Sequence, residues 1–287
     1  MRILKGAEIS AEIKKQVQEI LASVSGHAPM AAIVRVGEKP DDISYEKGAQ
    51  KKLAAFGLTS QSYVFPETIP DEEFRREFAK INEDKAVDGI LLLRPLPKQI
   101  DEKAVERMIR PEKDLDGISP INSAKVFAGE ADGFAPCTAE AVIEVLKGAG
   151  IAIEGRRAVI VGRSMVVGRP LSMLLLKENA TVTICHTRTR DLKAVCKEGD
   201  ILIAAAGKAG MLTAEYVAEG AVVIDVGINV DADGHLCGDV KWDGLEDVAS
   251  AATPVPGGVG GVTTAVLAKH LALAALRKQE KGSTAGA

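Results

Sequence analysis

The sequence predicts an α/β protein of two domains, the second a Rossmann-like unit. Three observations carry this. Short apolar runs of strand length alternate with segments whose apolar residues recur at helical spacing, the pattern of a parallel sheet wrapped by helices. A glycine-bearing turn, Gly162-Arg163-Ser164-Met165-Val166-Val167-Gly168, stands between the apolar run Ala158-Val159-Ile160-Val161 and a helical segment opening at Pro170. Strand, tight turn and helix together present unpaired N–H groups and a positive helix end to a pyrophosphate. The length, 287 residues, suits one large or two ordinary domains.

The elements follow in order. Ile9, Ile13, Val17 and Ile20 repeat at helical spacing, with Ser10 near the start. Residues 30–36 read as a strand, 42–56 as a helix stopped by Gly57, and 60–65 as an alternating strand. Phe74, Phe78 and Ile81 mark a helix stripe, and 89–93 a short buried strand closed by Arg94-Pro95-Leu96-Pro97. Residues 98–132 read as a less regular region. Thr138 is expected to cap a helix carrying Ala141, Val145 and Leu146, which ends at Gly148-Ala149-Gly150. Further strands are expected at 180–185, 201–206 and 221–226. The first domain is placed at 1–140 and the second at 141–262. A last apolar helix over 263–277 is expected to complete the first domain, and 278–287 to be a frayed tail.

Composition narrows the function. Hydrophobic residues make up 46% of the chain, enough for a real core, and the formal charge of −4 argues against a nucleic-acid partner. No basic run suggests a membrane surface, and no apolar run approaches the ~18 residues of a spanning helix. Residues 1–5 do not read as a signal peptide. Cys137, Cys185, Cys196 and Cys237 are scattered without C-x-x-C spacing, as reduced cytosolic thiols would be. His27, His186, His235 and His270 do not pair at metal-ligand spacing, so no metal is expected.

The turn after the strand at 158–161 departs from G-x-G-x-x-G, with Ser164 and Val167 where the second and third glycines would stand. The bland alternative is a strand-to-helix turn with no ligand. The next strand decides against it. An NAD site carries an acid near its end to hold the ribose 2′-hydroxyl, yet here His186-Thr187-Arg188-Thr189-Arg190 precedes the first acid, Asp191. Hydroxyls and guanidinium groups suit a 2′-phosphate, so the chain reads as NADP-preferring. Against that, Arg188 and Arg190 also fit the description of solvated loop residues. The dense loop Thr253-Pro254-Val255-Pro256-Gly257-Gly258-Val259-Gly260-Gly261 lets backbone approach a ligand closely, or is an ordinary surface turn.

Several segments carry a resemblance. They are Val36-Gly37-Glu38-Lys39-Pro40 with Ser44-Tyr45, Asp88-Gly89-Ile90-Leu91, Pro95-Leu96-Pro97, Lys113-Asp114-Leu115-Asp116-Gly117 and Pro136-Cys137-Thr138. In the second half they are Gly162-Arg163-Ser164, Val167-Gly168-Arg169-Pro170, Asp225-Val226-Gly227-Ile228-Asn229, Gly238-Asp239-Val240 and 253–260. In this order and spacing they resemble the methylenetetrahydrofolate dehydrogenase/cyclohydrolase family over nearly the whole chain. The resemblance implies a folate-binding N-terminal domain, an NADP-binding C-terminal domain, an active site in the cleft, and a cytoplasmic homodimer acting on tetrahydrofolate derivatives. It implies hydride transfer from 5,10-methylenetetrahydrofolate to NADP⁺, then hydrolysis of the methenyl product to 10-formyltetrahydrofolate. It assigns Tyr45 and Asp116 to catalysis and pterin binding, and Pro256, Gly257 and Gly258 to the substrate. It assigns Gly162, Arg163, Ser164, Val167, Gly168, Thr187, Arg188 and Ile228 to the cofactor. From composition alone, Tyr45 would be a half-buried core aromatic and Asp116 a turn residue ahead of Gly117.

Three positions depart from the family. Its hydrolytic Lys, four residues after the Tyr on the same helix face, is Ala49 here, and the Gln that supports that Lys is Leu93. The Pro after Val-Gly in the last loop is Gly261. Lys47 points to roughly the opposite face from Tyr45, Lys51 is poorly directed, and Lys52 is almost two turns on. Hydride transfer from the methylene bridge is driven by nitrogen lone-pair donation and needs positioning. Hydration of the methenyl carbon needs placed proton transfers, typically worth ~10²–10⁴-fold. The expectation is a dehydrogenase with weak or absent cyclohydrolase activity. The rivals are a fully bifunctional enzyme, with Lys52 or Arg94 replacing the lost groups, and a catalytically silent NADP- and folate-binding regulatory protein.

Overall fold

The alternating pattern folds into two parallel sheets, one in each of two units. The computed structural model describes residues 1–231 and 233–285, with side chains through 282. One unit holds Met1–Glu12 and Thr138–Thr263; the other holds Ile13–Cys137 and the residues from Thr264 onward. In chain order the elements begin with β1 (Arg2–Ile3), α1 (Gly6–Ala22), β2 (Met30–Val36), α2 (Pro40–Ala55), β3 (Thr59–Phe65), α3 (Asp71–Glu83), β4 (Gly89–Leu92), α4 (Glu102–Met108) and α5 (Pro120–Ala128). They continue with α6 (Cys137–Gly148), β5 (Arg157–Val161), α7 (Gly168–Lys177), β6 (Thr181–Cys185), α8 (Leu192–Cys196), β7 (Ile201–Ala204) and β8 (Val222–Asp225). The last are β9 (Asn229–Val230), β10 (Leu236–Cys237), β11 (Ala251–Ala252) and α9 (Val259–Ala285).

In the unit of Ile13–Cys137 the strand order is β3-β2-β4, all parallel. Central β2 is buried along almost its whole length, as a strand covered on both faces must be. Phe74 and Phe78 from α3 fill one side of it with Ile90 and Leu92. Residues 113–115 extend the sheet beyond β4: Ile90 N–H donates to Lys113 O at 2.6 Å and Leu115 N–H to Ile90 O at 3.2 Å. Gly89 is required there, because a Cβ would overlap the Leu115 side chain. Asp116 is thereby delivered to the carboxyl end of the sheet, where open α/β sheets bind ligands.

The region 98–132, irregular by sequence, contains α4 and α5. Both are too short to show a period. Their start signals are nonetheless present: Asp101 accepts the N–H of Ala104, and Ser119 accepts that of Asn122 ahead of Pro120. Fully buried Asp114 fixes the entry to α5, accepting from Ile118 N at 3.0 Å, Ser119 N at 2.8 Å and Asn122 Nδ2 at 3.0 Å.

The other unit carries a parallel sheet of order β1-β11-β8-β7-β5-β6, with β9 and β10 as a separate antiparallel pair. The first twelve residues belong here, not with 13–140 as the sequence suggested. Arg2 and Ile3 pair with Ala251 and Ala252, and Arg2 Nη1 donates to Ala149 O at 2.8 Å. A two-residue strand has no pattern to read. Thr138 lies inside the first turn of α6 rather than capping it, and α1 starts at Gly6, a turn before Ile9, leaving Ser10 buried within the helix.

Helix α9 outruns 263–277 at both ends, and no tail begins at 278. Lys278 Nζ donates to Lys85 O and Asp88 Oδ1, each at 2.6 Å, and Gln279 Oε1 accepts from Ser25 N at 2.8 Å. These side chains hold the helix where composition suggested fraying; residues 286 and 287 lie outside the described part. By length and composition Val259–Gly282 could cross a membrane, although no apolar run of spanning length was expected from the sequence; 67% of its apolar window is buried within the protein, as in a core helix.

Two more buried carboxylates shape the larger sheet's loops. Asp225, at the end of β8, accepts from Gly227 N at 2.9 Å, Asp239 N at 3.0 Å and Val240 N at 2.9 Å. Asp239 accepts from the N–H groups of Ala206, Gly207 and Lys208 and from Asn229 Nδ2. Burial pushes the Asp225 carboxyl up to about 6, against its three N–H donors.

Two outcomes are expected. Asp114→Ala leaves the 118–122 donors without their acceptor and should lower the unfolding free energy by about 3 kcal/mol, read from urea denaturation. An unchanged midpoint would refute the role given to Asp114. Asp225 binds its proton more tightly folded than unfolded, so its stabilisation is full below pH ~3.9 and is lost as pH rises through about 6. Between pH 4 and 7 the parent should lose roughly 2–3 kcal/mol relative to Asp225→Asn; parallel pH curves would contradict the shift.

Candidate active site

In the larger sheet, the chain leaves β5 for β6 on one side and returns to β7 on the other. Gly162 lies at that switch point with φ of 141°. A Cβ there would overlap the carbonyl of Ala205, just past β7, and a Cβ on Gly168 would overlap the carbonyl of Gly162. The turn is therefore packed against its neighbours on the protein side. Arg163, Ser164, Met165 and Val166 remain exposed on the other. Ser164 Oγ accepts the N–H of Val167 at 3.1 Å, which closes the turn and leaves the hydroxyl proton for another acceptor. Helix α7 starts at Gly168, with Val167 as its N-cap. A tight, glycine-built cradle with outward donors at a helix N-terminus fits a pyrophosphate.

Thr187 and Arg188 are exposed just past β6, the strand beside β5. Their turn is closed by His186 N–H donating to Thr189 Oγ1 at 2.8 Å and Thr189 N–H to His186 O at 2.9 Å. The first acid, Asp191, is spent as the N-cap of α8, accepting from Ala194 N at 3.3 Å. The end of β6 therefore presents hydroxyl and guanidinium groups. Ile228 is exposed past β8. Pro256 and Gly257 are exposed after β11, and Gly258 is buried where a Cβ would overlap Pro254 O. All these positions thus lie past the carboxyl ends of strands of one sheet. On the turn between β9 and β10, exposed Asp231, Asp233 and His235 bring ligand atoms within 4.8 Å of one another. The Asp231 carboxylate there accepts from the N–H groups of Asp233 and His235, as a turn residue does.

In the other unit, Tyr45 is on α2 with Ala49 one turn on; the Tyr45 side chain is half-exposed and Ala49 is buried. Although about 38% of the Tyr45 surface meets solvent, desolvation by the protein around it pushes the phenol well above its usual range, and the nearby Cys137 and Asp116 add to this. Cys137 and Asp116 lie close enough to Tyr45 for their charges to act on its phenol. Asp116 accepts the N–H of Cys137 at 2.9 Å. Desolvation pushes its carboxyl up, against that hydrogen bond and the charge of Arg94. Leu93, just past β4, is buried, with its N–H donating to Val34 O at 2.9 Å.

The two side chains suggested as stand-ins for the family Lys are engaged elsewhere. Arg94 Nη1 lies 3.0 Å from Glu106 Oε1 and 3.8 Å from Glu102 Oε1, and a guanidinium does not release a proton in any case. The Lys52 amine lies 5.7 Å from the centre of the Phe56 ring, and burial pushes its pKa down.

A buried polar cluster was missed. Glu46, next to Tyr45, turns inward and pairs with Arg35 of β2 at 2.7 Å. It also accepts from Ser62 of β3, which in turn accepts from Gln50 Nε2 at 2.9 Å. Arg35 further donates to Gly37 O. The cluster ties α2 to two strands and so sets the face on which Tyr45 and Ala49 stand. Its signal was present: an Arg inside the apolar run Ile33-Val34-Arg35-Val36 must find an acid if the strand is buried.

Comparison with known proteins agrees with both halves. Residues 4–116 match the family model for the tetrahydrofolate dehydrogenase/cyclohydrolase catalytic domain, and 136–279 that for its NAD(P)-binding domain. The chain is 51% identical over 271 residues to the bifunctional protein FolD of Alkaliphilus oremlandii, covering 94% of this chain and 95% of that protein. It is similar to the crystal structure of the bifunctional FolD methylenetetrahydrofolate dehydrogenase/cyclohydrolase of Campylobacter jejuni, at a TM-score of 0.91 and 36% identity, over 97% and 99% of the two chains. A third relative, the Trypanosoma brucei FolD solved with NADP cofactor and an inhibitor, has a TM-score of 0.87 and 33% identity, over 96% and 97%. With both domain models matched in order and 51% identity over 271 residues to a relative covered to 95% of its length, the chain belongs to the tetrahydrofolate dehydrogenase/cyclohydrolase family.

Proposed function

We propose that this protein oxidises 5,10-methylenetetrahydrofolate to 5,10-methenyltetrahydrofolate with NADP⁺, and that its hydrolysis of the methenyl product is weak or absent. The observation that carries the proposal is a site that keeps Tyr45 and Asp116 together while a buried methyl, Ala49, stands where the family places an amine. In this reading Tyr45 lies against the pterin, Asp116 accepts hydrogen bonds from its polar edge, and Pro256, Gly257 and Gly258 contribute backbone to the substrate. Gly162, Arg163, Ser164, Val167 and Gly168 hold the pyrophosphate, Thr187 and Arg188 the 2′-phosphate, and Ile228 borders the nicotinamide nucleotide. NADP⁺, when bound, supplies the hydride acceptor.

The methylene bridge loses hydride with the push of a nitrogen lone pair, so the protein's part is to orient the folate and keep it there. No side-chain proton transfer is needed. Opening the methenyl cation is different. Water must lose a proton as it adds, and the departing ring nitrogen must gain one. A methyl at Ala49 and an isobutyl at Leu93 do neither. The same reading makes the protein a cytoplasmic homodimer, with a separate cyclohydrolase completing the conversion in the cell. A second reading, full bifunctionality, is favoured by the name its relatives carry.

One progress curve separates the readings. With methylenetetrahydrofolate and NADP⁺, methenyl product should accumulate in step with NADPH. Formyl product appearing faster than in a methenyl control without enzyme establishes the bifunctional reading instead. Folate binding without turnover establishes a silent binding protein. The double substitution Ala49→Lys/Leu93→Gln should raise methenyl hydrolysis by ~10–10²-fold, and an unchanged rate counts against the account of Ala49. Arg188→Ala should raise the KM for NADP⁺ about tenfold and leave that for NAD⁺ nearly unchanged, since only the former has a 2′-phosphate to lose. Equal effects on both coenzymes would remove Arg188 from the phosphate site.

A further inference from the structure

Asp116 follows directly on a peptide group that two buried side chains hold. The carbonyl of Leu115 accepts from His270 Nδ1 at 2.7 Å and from the thiol of Cys137 at 3.2 Å. A carbonyl has two lone pairs and no proton to give, so the contact fixes the proton of His270 on Nδ1. The other side of the same residue is fixed too, through Leu115 N–H and the carbonyl of Ile90. Cys137 acts twice, since its backbone N–H is the donor to Asp116. Immediately after Asp116 the chain turns at Gly117, with φ of 59°, where a Cβ would overlap the carbonyl of Phe134.

His270 itself has little freedom. It is 1% exposed on α9, with its ring 4.8 Å from that of Phe134. Two turns on, Arg277 lies 4.7 Å from the centre of the same Phe134 ring and donates to Asp132 O at 2.9 Å. One face of α9 therefore clamps the 132–137 segment and the peptide preceding Asp116. A buried imidazole N–H aimed at one carbonyl sets a peptide plane, and the direction in which Asp116 leaves the chain follows from that plane.

We propose that His270, together with Cys137, is a positioning residue for Asp116, holding the 115–116 peptide so that the carboxylate meets the polar edge of the folate in a fixed orientation. The proposal rests on reading Asp116 as the folate-binding carboxylate. A carboxylate that accepts two parallel hydrogen bonds is sensitive to small rotations, so the clamp should show in substrate affinity.

The test is steady-state kinetics of the intact protein with methylenetetrahydrofolate and NADP⁺. His270→Leu should raise the KM for the folate about tenfold, with a smaller change in kcat and none in the KM for NADP⁺. His270→Asn, whose amide can donate to the same carbonyl, should recover to within about twofold of the parent. On an Asp116→Ala background, His270→Leu should cost nothing further, because its effect passes through Asp116. A purely structural histidine would lower the melting temperature and leave the folate KM alone; that result overturns the proposal, as does full additivity with Asp116→Ala. If His270→Leu does not fold, Cys137→Ala against Cys137→Ser decides, with the serine hydroxyl restoring the KM that alanine raises; equal KM values in the two overturn the proposal. Asp116→Ala with an unchanged folate KM would remove the folate reading and the clamp together. An Asp116→Ala effect without a His270→Leu effect removes the clamp alone.

Discussion

Buried carboxylates that gather backbone N–H groups organise both halves of this protein. A parallel sheet ends in loops whose N–H groups have lost their strand partners, and a loop buried with such groups unpaired is unstable. Asp114, Asp225 and Asp239 solve this where functional loops begin. Each is almost wholly withdrawn from water, and each takes three or four donors. Asp225 and Asp239 also act on each other, since Asp225 accepts the Asp239 backbone N–H while Asp239 secures the loop after β7. The loops past β7 and β8 are thus one polar assembly. The loop past β5 closes against it through glycine at 162. The raised pKa of Asp225 shows that its donors offset the cost of desolvation only in part.

Much of the fold was legible because it is built from repeating patterns. The apolar β2 run, the helical stripe of Phe74, Phe78 and Ile81, and the four longest runs of the second sheet each carry a pattern readable within one element, and all appear near the expected residues. What was not legible had no period to show. The strands β1 and β11 are two residues each and exist only through pairing with partners distant in sequence. Helices α4 and α5 are set by caps rather than stripes. The far end of α9 is rich in polar residues, and only contacts made in three dimensions, such as Lys278 with Asp88, hold it in place.

The site divides in the same way. The glycine turn could be read because strand, turn and helix are contiguous, and the Asp191 cap explains why no acid remains at the end of β6 for a ribose. Tyr45 and Ala49 could be compared because they share one helix, where spacing is geometry. The partners that hold the site in place were not legible: the Arg within β2 announces that it needs an acid but not which one, and Glu46 finds it across the space between a helix and a strand, as His270 finds a carbonyl more than a hundred and fifty residues earlier. Residues that touch a ligand tend to lie in recognisable motifs, while those that hold them do so through contacts that only the folded chain creates.

The Arg35–Glu46 pair also constrains descent. Either charge without the other would be left in the interior beside Ser62, a loss of roughly 3–5 kcal/mol, comparable to the whole margin of a small domain. Two well-packed apolar residues in their place would be nearly neutral. Drift from one arrangement to the other must therefore pass through a barely folded intermediate or change both positions at once. Among relatives the two residues should be inherited as a linked pair, and the helix that carries Tyr45 and Ala49 should travel with them. Lineages with and without the pair would then be separated by a step that single substitutions seldom cross.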